Sequence, residues 1–514
     1  MVNSFQFPRA LIVYAIAIPM ALILGFFLIS PDNIITWGLI GMLIFIGILP
    51  WMLKSHHKAL IISWGAFVNV FFLPGQPPFW LLLVGLSFGL SLLTRIVSGK
   101  RQFVSVPMLT WPLLFLLGTV LFTAYMRGGI GARSLGGDTY GAKFYALLLG
   151  AIIGYFALTA QIISKKEAGW LVALYFLGPL TAVLSNIAYA LGPSFYFLFN
   201  FFRADLVMTQ IQQDYGGNVF GLERIEGLSI AATGLYTFLL VRYGIRGVFD
   251  LTKPWRLLLF AVACVSVLFG GFRSQIIWFA LLFGLQLFWE KLLRTRLFAI
   301  ILAACFFVGI GVVASIHKMP LVVQRAFSFL PFNDIDFAAR EDAVASTEWR
   351  LEMWRVLIPQ IPEYLWVGKG YAIDATDLYL TEQAVLRGAA KDYEPHILAG
   401  NYHSGPLSTI LPLGIWGSIG FVWLAIAGIY VLYHNYRYGD PDLRRVNTFL
   451  LTYFVGRVIF FIFIFGSLNT ELFLFTGILG LSVSLNNGVR PKPARSSPPG
   501  VPQQKQSLLL PMPA

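Results

Sequence analysis

Apolar stretches of about 20 residues recur from Ala10 almost to the end of this chain, and few folds accommodate that pattern. A bilayer hydrocarbon core is about 30 Å thick, which a helix of about 20 residues crosses. Backbone polar groups in lipid must be satisfied within the protein, so each stretch is expected as a helix and not as an open strand. Of the 514 residues, 57% are hydrophobic and 12% charged, about half the charge of a soluble domain at roughly 25%. The sequence predicts an all-α polytopic membrane protein. Spans are expected near 10–30, 33–53, 59–73, 79–95, 107–126, 141–163, 167–191, 227–244, 254–272, 273–290, 296–316, 406–433, 447–466 and 470–486, about 14 in all. The third is short, and tilted or partly inserted. The first is too long for the apolar core of a secretory signal and lacks a small-x-small site, so it is expected as a retained span. The ninth and tenth meet at Gly270-Gly271-Phe272-Arg273-Ser274, a tight turn.

Loop charge orients these spans. One set of alternate connections carries Lys54 and Lys58; Arg95, Lys100 and Arg101; Lys165 and Lys166; Arg242, Arg246, Lys253 and Arg256; Lys291, Arg294 and Arg296; and Arg437, Arg444 and Arg445. By the positive-inside rule these face the cytoplasm, which places both termini there. The other set contains the long loops 127–140, 192–226 and 317–405. The formal charge of +13 therefore reflects membrane orientation, and no nucleic-acid partner is expected. Cys264 and Cys305 lie in apolar stretches and are expected as packing residues. Three regions follow: an N-terminal transmembrane bundle over 1–220, a catalytic region over 221–486 that includes the extracytoplasmic loop 317–405, and a Pro-, Ser- and Gln-rich cytoplasmic tail over 487–514, expected to be disordered.

The run from Ser346 to Gly417 is the longest polar interval, and in the loop 317–405 acidic residues outnumber basic ones. Thr347 is expected to cap a helix from Glu348 to about Ile358, ended by Pro359. Trp349, Met353 and Leu357 would share one face, and Arg350 and Trp354 another. Four side chains are candidates for chemistry, each with a plain structural alternative. Arg224 stands at the mouth of the eighth span, as an anion ligand or an interfacial arginine whose stem snorkels. Arg273 sits at the turn between two spans, where a charge needs a partner or a wet cavity, or else caps the carbonyls of the ninth helix. Arg350 is a ligand or part of a packed lid. His403 precedes Ser404-Gly405-Pro406, which can begin the twelfth span with Pro406 in its first turn. The positive end of that helix disfavours imidazolium, so the ring is either a neutral base or an interfacial hydrogen-bonding group. Arginine forks match the oxygens of phosphate and diphosphate. Asp334-Ile335-Asp336 is a D-x-D triplet of the kind that holds a metal on a sugar phosphate. His56 and His57 read as solvated loop residues. P-loop, dinucleotide-binding, H-E-x-x-H and G-x-S-x-G patterns do not occur.

In order and spacing, Arg224-Ile225-Glu226-Gly227, Gly271-Phe272-Arg273, Arg350 with Trp354, Gly368-Lys369-Gly370, and His403-Ser404 running into Leu413-Gly414-Ile415-Trp416-Gly417 resemble the O-antigen ligase and O-antigen polymerase superfamily of bacterial envelope enzymes. The resemblance covers roughly 220 to 480. Ser404 stands where the family has Asn, and Phe272 where it has Ser. The resemblance implies a GT-C-like helical glycosyltransferase of the bacterial inner membrane. Its donor would be a glycan on undecaprenyl diphosphate, and its acceptor a hydroxyl of a glycan or lipid. It implies Arg224, Arg273 and Arg350 on the diphosphate, His403 as base, an active site on the periplasmic side, and neither cofactor nor metal. The rival readings are a transporter or flippase of lipid-linked sugars and a metal-dependent transferase using Asp334 and Asp336.

Overall fold

The structure is a computed structural model that describes residues 34–73, 75–98, 103–131, 139–214, 222–330 and 334–492, with three isolated positions before them. The expected span 10–30 and most of the expected tail lie outside the described residues. Among those described, nine helices are long and apolar enough to cross a membrane, and the only sheet is one two-stranded pair. The protein is thus an all-α polytopic membrane protein.

Helix α1 (Ile34–Ser63) is followed by α2 (Phe79–Ser98), α3 (Pro107–Arg127), strand β1 (Thr139–Tyr140), α4 (Ala142–Thr159) and α5 (Lys165–Leu177). α5 continues through a 3-10 stretch to Leu191. Then come α6 (Glu226–Val248), α7 (Pro254–Ser266, extended by one tight turn to Gly270), α8 (Arg273–Trp289) and α9 (Arg296–Ser315). The polar insertion holds α10 (Phe337–Leu357) and β2 (Ile373–Asp374), and the chain closes with α11 (Gly405–Tyr438), α12 (Arg444–Phe463) and α13 (Leu468–Asn486).

Spans 33–53 and 59–73, expected as two, are one helix and an irregular segment. Nothing between Leu53 and Ala59 breaks a helix; the polar run Lys54-Ser55-His56-His57-Lys58 imitates a loop only by composition. The two histidines, expected in solvent, are buried. His56 Nδ1 lies 2.8 Å from Ser87 Oγ, and His57 Nε2 lies 2.7 Å from the Leu158 carbonyl. Past Ser63 the chain runs through bridges Val68–Phe202 and Asn69–Pro78.

α13 forms the centre of the bundle, with nearly every residue buried, whereas α9 is exposed along almost its whole length. Cys305, expected to pack, is on that exposed helix; Cys264 is half-buried.

Two devices fasten the polar insertion to the bundle. β1 pairs antiparallel with β2, with Thr139 opposite Asp374. The second device exploits a break in α11. Pro412 and Gly414 (φ +67°) interrupt its ladder, and a break frees carbonyls that must find donors. The backbone N–H of Lys369 donates to Leu411 O (2.7 Å) and that of Gly370 to Pro412 O (3.0 Å). Gly368 (φ +78°) lies so close that a Cβ would stand 2.2 Å from the Pro412 carbonyl oxygen. The Gly368-Lys369-Gly370 motif is therefore a clasp between insertion and helix.

An arginine-lined cavity at the start of α6, α8 and α11

α6 has 23 residues, so at 1.5 Å per residue its ends stand roughly 35 Å apart. At its first end, Arg224, Arg273, Arg350 and His403 line one cavity of 220 Å³ together with Arg325, Trp349 and His396. All four side chains singled out in the sequence are thus brought together, from points up to 179 residues apart in the numbering (403 − 224).

Each is positioned by a local feature. The chain before α6 is held by Ile225 N–H donating to Phe269 O (3.0 Å), and Arg224 Nη2 reaches Asp342 Oδ2 at 2.8 Å. Gly271, left-handed at φ +67°, makes the turn from α7 that delivers Arg273 as the first residue of α8. Arg273 Nη2 donates to Ala343 O and Thr347 Oγ1, both 2.9 Å away. Its partners are on α10, so it does not cap α7. That task falls to Arg325, whose guanidinium donates to Gly271 O and pairs with Asp342.

α10 begins well before Glu348, where the sequence suggested a start. Its N-cap is Asp336, whose carboxylate accepts from Ala338 N–H (2.8 Å). Thr347 is interior, with its hydroxyl bonded to Ala343 O at 3.0 Å. The expected face is formed: Met353 and Leu357 are buried with Trp349 against them. Asp334 and Asp336 are exposed on either side of buried Ile335, and Asp336 is used as a cap.

His403 has φ +50°, a strained region for a non-glycine residue. Trp354 Nε1 donates to the preceding carbonyl of Tyr402 (2.9 Å), which fixes the approach. The imidazole is boxed by the rings of Trp349, Phe465 and His396 at centroid distances of 5.1, 5.3 and 5.8 Å. Both ring nitrogens are buried, and neither has a hydrogen-bonding partner among the described residues. Burial first, then the Arg350 charge and His396, push its pKa down to about 4. The ring is neutral at pH 7 and carries one available lone pair.

The cavity is a concentration of positive charge. Asp342 is the carboxylate that serves both Arg224 and Arg325. Arg325 is 3% exposed; burial and the neighbouring Arg224 lower its pKa to about 10, so it stays charged. Arg350 makes no hydrogen bond or ion pair among the described residues, and burial and the charges of Arg273 and Arg224 pull its pKa down. α6, α8 and α11 also begin here, adding the positive ends of three helix dipoles. Like charges held this close in a partly desolvated space call for an anion with several oxygens.

Sequence reasoning missed Arg325, Asp342 and His396. Arg325 had one signal, a lone cation inside Val322-Val323-Gln324-Arg325-Ala326. Asp342 and His396 had none, because their placement depends on how the insertion folds back.

Residues 257–422 match the family model described as O-antigen ligase, a stretch that includes Arg273, Arg350 and His403 and leaves Arg224 outside it. No curated protein matches the chain. The ordered motifs and this match agree: residues 257–422 of this multi-pass membrane protein are similar to the O-antigen ligase family.

Proposed function

We propose that this protein transfers a glycan from undecaprenyl diphosphate to an acceptor hydroxyl of a glycan or lipid, on the periplasmic side of the inner membrane. The observation that carries the reading is the meeting of four guanidinium groups with an unpartnered neutral imidazole in one cavity. Arg224, Arg273 and Arg350 hold the donor's diphosphate, with Arg325 behind them. His403 takes the proton of the acceptor hydroxyl as its oxygen bonds to the anomeric carbon. The bond from that carbon to the diphosphate oxygen breaks, and undecaprenyl diphosphate leaves with its charge stabilised by the arginines. Guanidiniums supply the positive charge that a divalent ion gives elsewhere, so the transfer needs no metal.

Substrate also tunes the base. A bound diphosphate offsets the Arg350 charge that lowers the His403 pKa, so the imidazole becomes a better proton acceptor once the donor is in place. The orientation follows from charge. The basic loops carrying Lys165, Lys166, Arg242, Arg246, Arg444 and Arg445 gather at the other end of the bundle, which the positive-inside rule assigns to the cytoplasm.

The test is reconstitution of purified protein with lipid-linked glycan and acceptor, comparing the unaltered chain with His403→Ala. We expect conversion of carrier-linked glycan, and a loss of about 100-fold or more in the variant. Equal rates would remove His403 from the reaction. Movement of intact donor across the vesicle with no new glycosidic bond would replace the enzyme with a flippase. Growth of the glycan by repeat units marks a polymerase; a single joining to a lipid acceptor marks a ligase.

A further inference from the structure

A cleft of 1160 Å³ lies at the opposite end from the arginine site, among the ends of α6, α8 and α11 and the starts of α5 and α12. Eight lysines and arginines line it against three carboxylates, Asp250, Glu290 and Asp442. One carboxylate is occupied by the backbone: α6 breaks at Gly244 (φ +65°), and Glu290 accepts from the freed Ile245 N–H at 3.1 and 3.2 Å. Among the described residues, Arg242, Arg246, Arg256, Arg444 and Arg445 form no ion pair.

Orientation explains basic residues at this end, but a flange of snorkelling cations needs no concavity and leaves no buried donor unused. This cleft has two such donors. The Nε of Arg256 and the indole Nε1 of Trp289 are buried without a hydrogen-bonding partner among the described residues, and both residues line the cleft. A buried N–H without an acceptor is uncommon and destabilising. Arg256 is otherwise fixed, with Nη1 donating to Gly247 O (3.1 Å) and its Cζ 4.0 Å from the Tyr243 ring centre. The missing component is an oxygen-rich anion that accepts from both donors and balances the surrounding cations.

We propose that this cleft binds the phosphate headgroup of an anionic phospholipid from the cytoplasmic leaflet. Its depth favours a lipid over a soluble anion. The cleft is formed where α5, α6, α8, α11 and α12 begin or end, four of them long and apolar enough to cross a membrane, which is headgroup level, and aromatic residues such as Trp289 and Tyr436 line it as they line membrane interfaces. Basic recesses between transmembrane helices on that side suit doubly charged headgroups. The site is separate from the transfer chemistry, so either proposal can fail alone.

The experiment follows thermal unfolding of the full chain in vesicles with increasing cardiolipin, against phosphatidylcholine alone and phosphatidylcholine with free inorganic pyrophosphate. We expect cardiolipin to raise the midpoint above that in phosphatidylcholine, and the shift with pyrophosphate, which the arginine cavity admits, to be the same in the cleft variant Arg246→Gln, Arg444→Gln as in the unaltered chain. In that double variant, the half-saturating lipid fraction should rise about 30-fold, since each basic residue near such a surface contributes about fivefold. Lys54→Gln, a basic position outside the cleft, should behave as the unaltered chain. No shift with cardiolipin, a pyrophosphate shift that the double variant loses, or an unchanged cardiolipin response in the double variant would each overturn the proposal. Should the double variant fail to fold, a photoreactive cardiolipin on the unaltered protein decides: label within 242–256 and 442–448 supports the site, and label confined elsewhere refutes it.

Discussion

The two ends of α6 and α8 both collect arginines, and they hold them differently. At the cavity end the guanidiniums are buried or half-buried and tied to fixed oxygens: Arg325 to Gly271 O and Asp342, Arg273 to Ala343 O and Thr347, Arg224 to Asp342. At the cleft end Arg242, Arg246, Arg444 and Arg445 are exposed, and the space around them is five times larger (1160/220). Desolvated, positioned cations act strongly on charge that develops at one atom. Solvated cations of the same type act as a diffuse field, and salt screens it over about 10 Å. The number of arginines therefore says little about chemistry; their anchoring says much.

The sharpest break of this comparison is at Arg273. If its two α10 contacts position it for a leaving diphosphate, Arg273→Ala should lower the transfer rate by about 100-fold or more. Arg273→Lys should recover only part, because an ammonium keeps the charge and loses the planar fork. Rates would be measured on lipid-linked donor, with circular dichroism to confirm folding. Full activity in Arg273→Lys would mean that a diffuse field suffices, and the two ends would differ only in depth.

A second, smaller effect concerns His403. If it is the proposed base, its neutral form is the active one, and transfer falls as pH drops through its pKa. In the free enzyme that pKa is about 4, with burial the main cause and Arg350 next. The profile of kcat/KM, which reports free enzyme, should have its acid limb well below the 6.5 of an ordinary histidine. The kcat profile should have its limb higher, because bound diphosphate offsets Arg350. Arg350→Gln should raise the free-enzyme limb. Limbs that coincide near 6.5 in both profiles would show that His403 is not held in this environment.

Long-range order in this chain was legible where physics leaves a periodic or compositional trace. Bilayer thickness imposes run length, so α2 to α6 and α11 to α13 fall near their expected positions. The lining of the cavity was legible because charges beside apolar spans stand out, and Arg224, Arg273, Arg350 and His403 do meet in one cavity. Failures have a common cause, which is that composition does not report partners. His56 and His57 look solvated until Ser87 and the Leu158 carbonyl are brought beside them. Thr347 looks like a cap, yet Asp336 takes the role eleven residues earlier (347 − 336). Gly368 and Gly370 look like a loop motif, and only the broken ladder of α11 explains their positive φ angles. Asp342 carries no signal at all, although it organises two of the four guanidiniums.

The least effect is expected at the D-x-D triplet, which is why it discriminates well. Asp336 caps α10 through Ala338 N–H, so Asp336→Ala should lower stability by about 1 kcal/mol, read as a small drop in unfolding midpoint. Asp334 is exposed and has no such bond, so Asp334→Ala should change neither midpoint nor transfer. A helix cap and a bystander predict unequal effects on stability and none on a metal dependence. Two metal ligands predict the reverse pattern: both alanine variants lose transfer together, chelator abolishes it in the unaltered chain, and a divalent ion restores it. That outcome would move the positive charge of the reaction from the arginines to a cation at the start of α10.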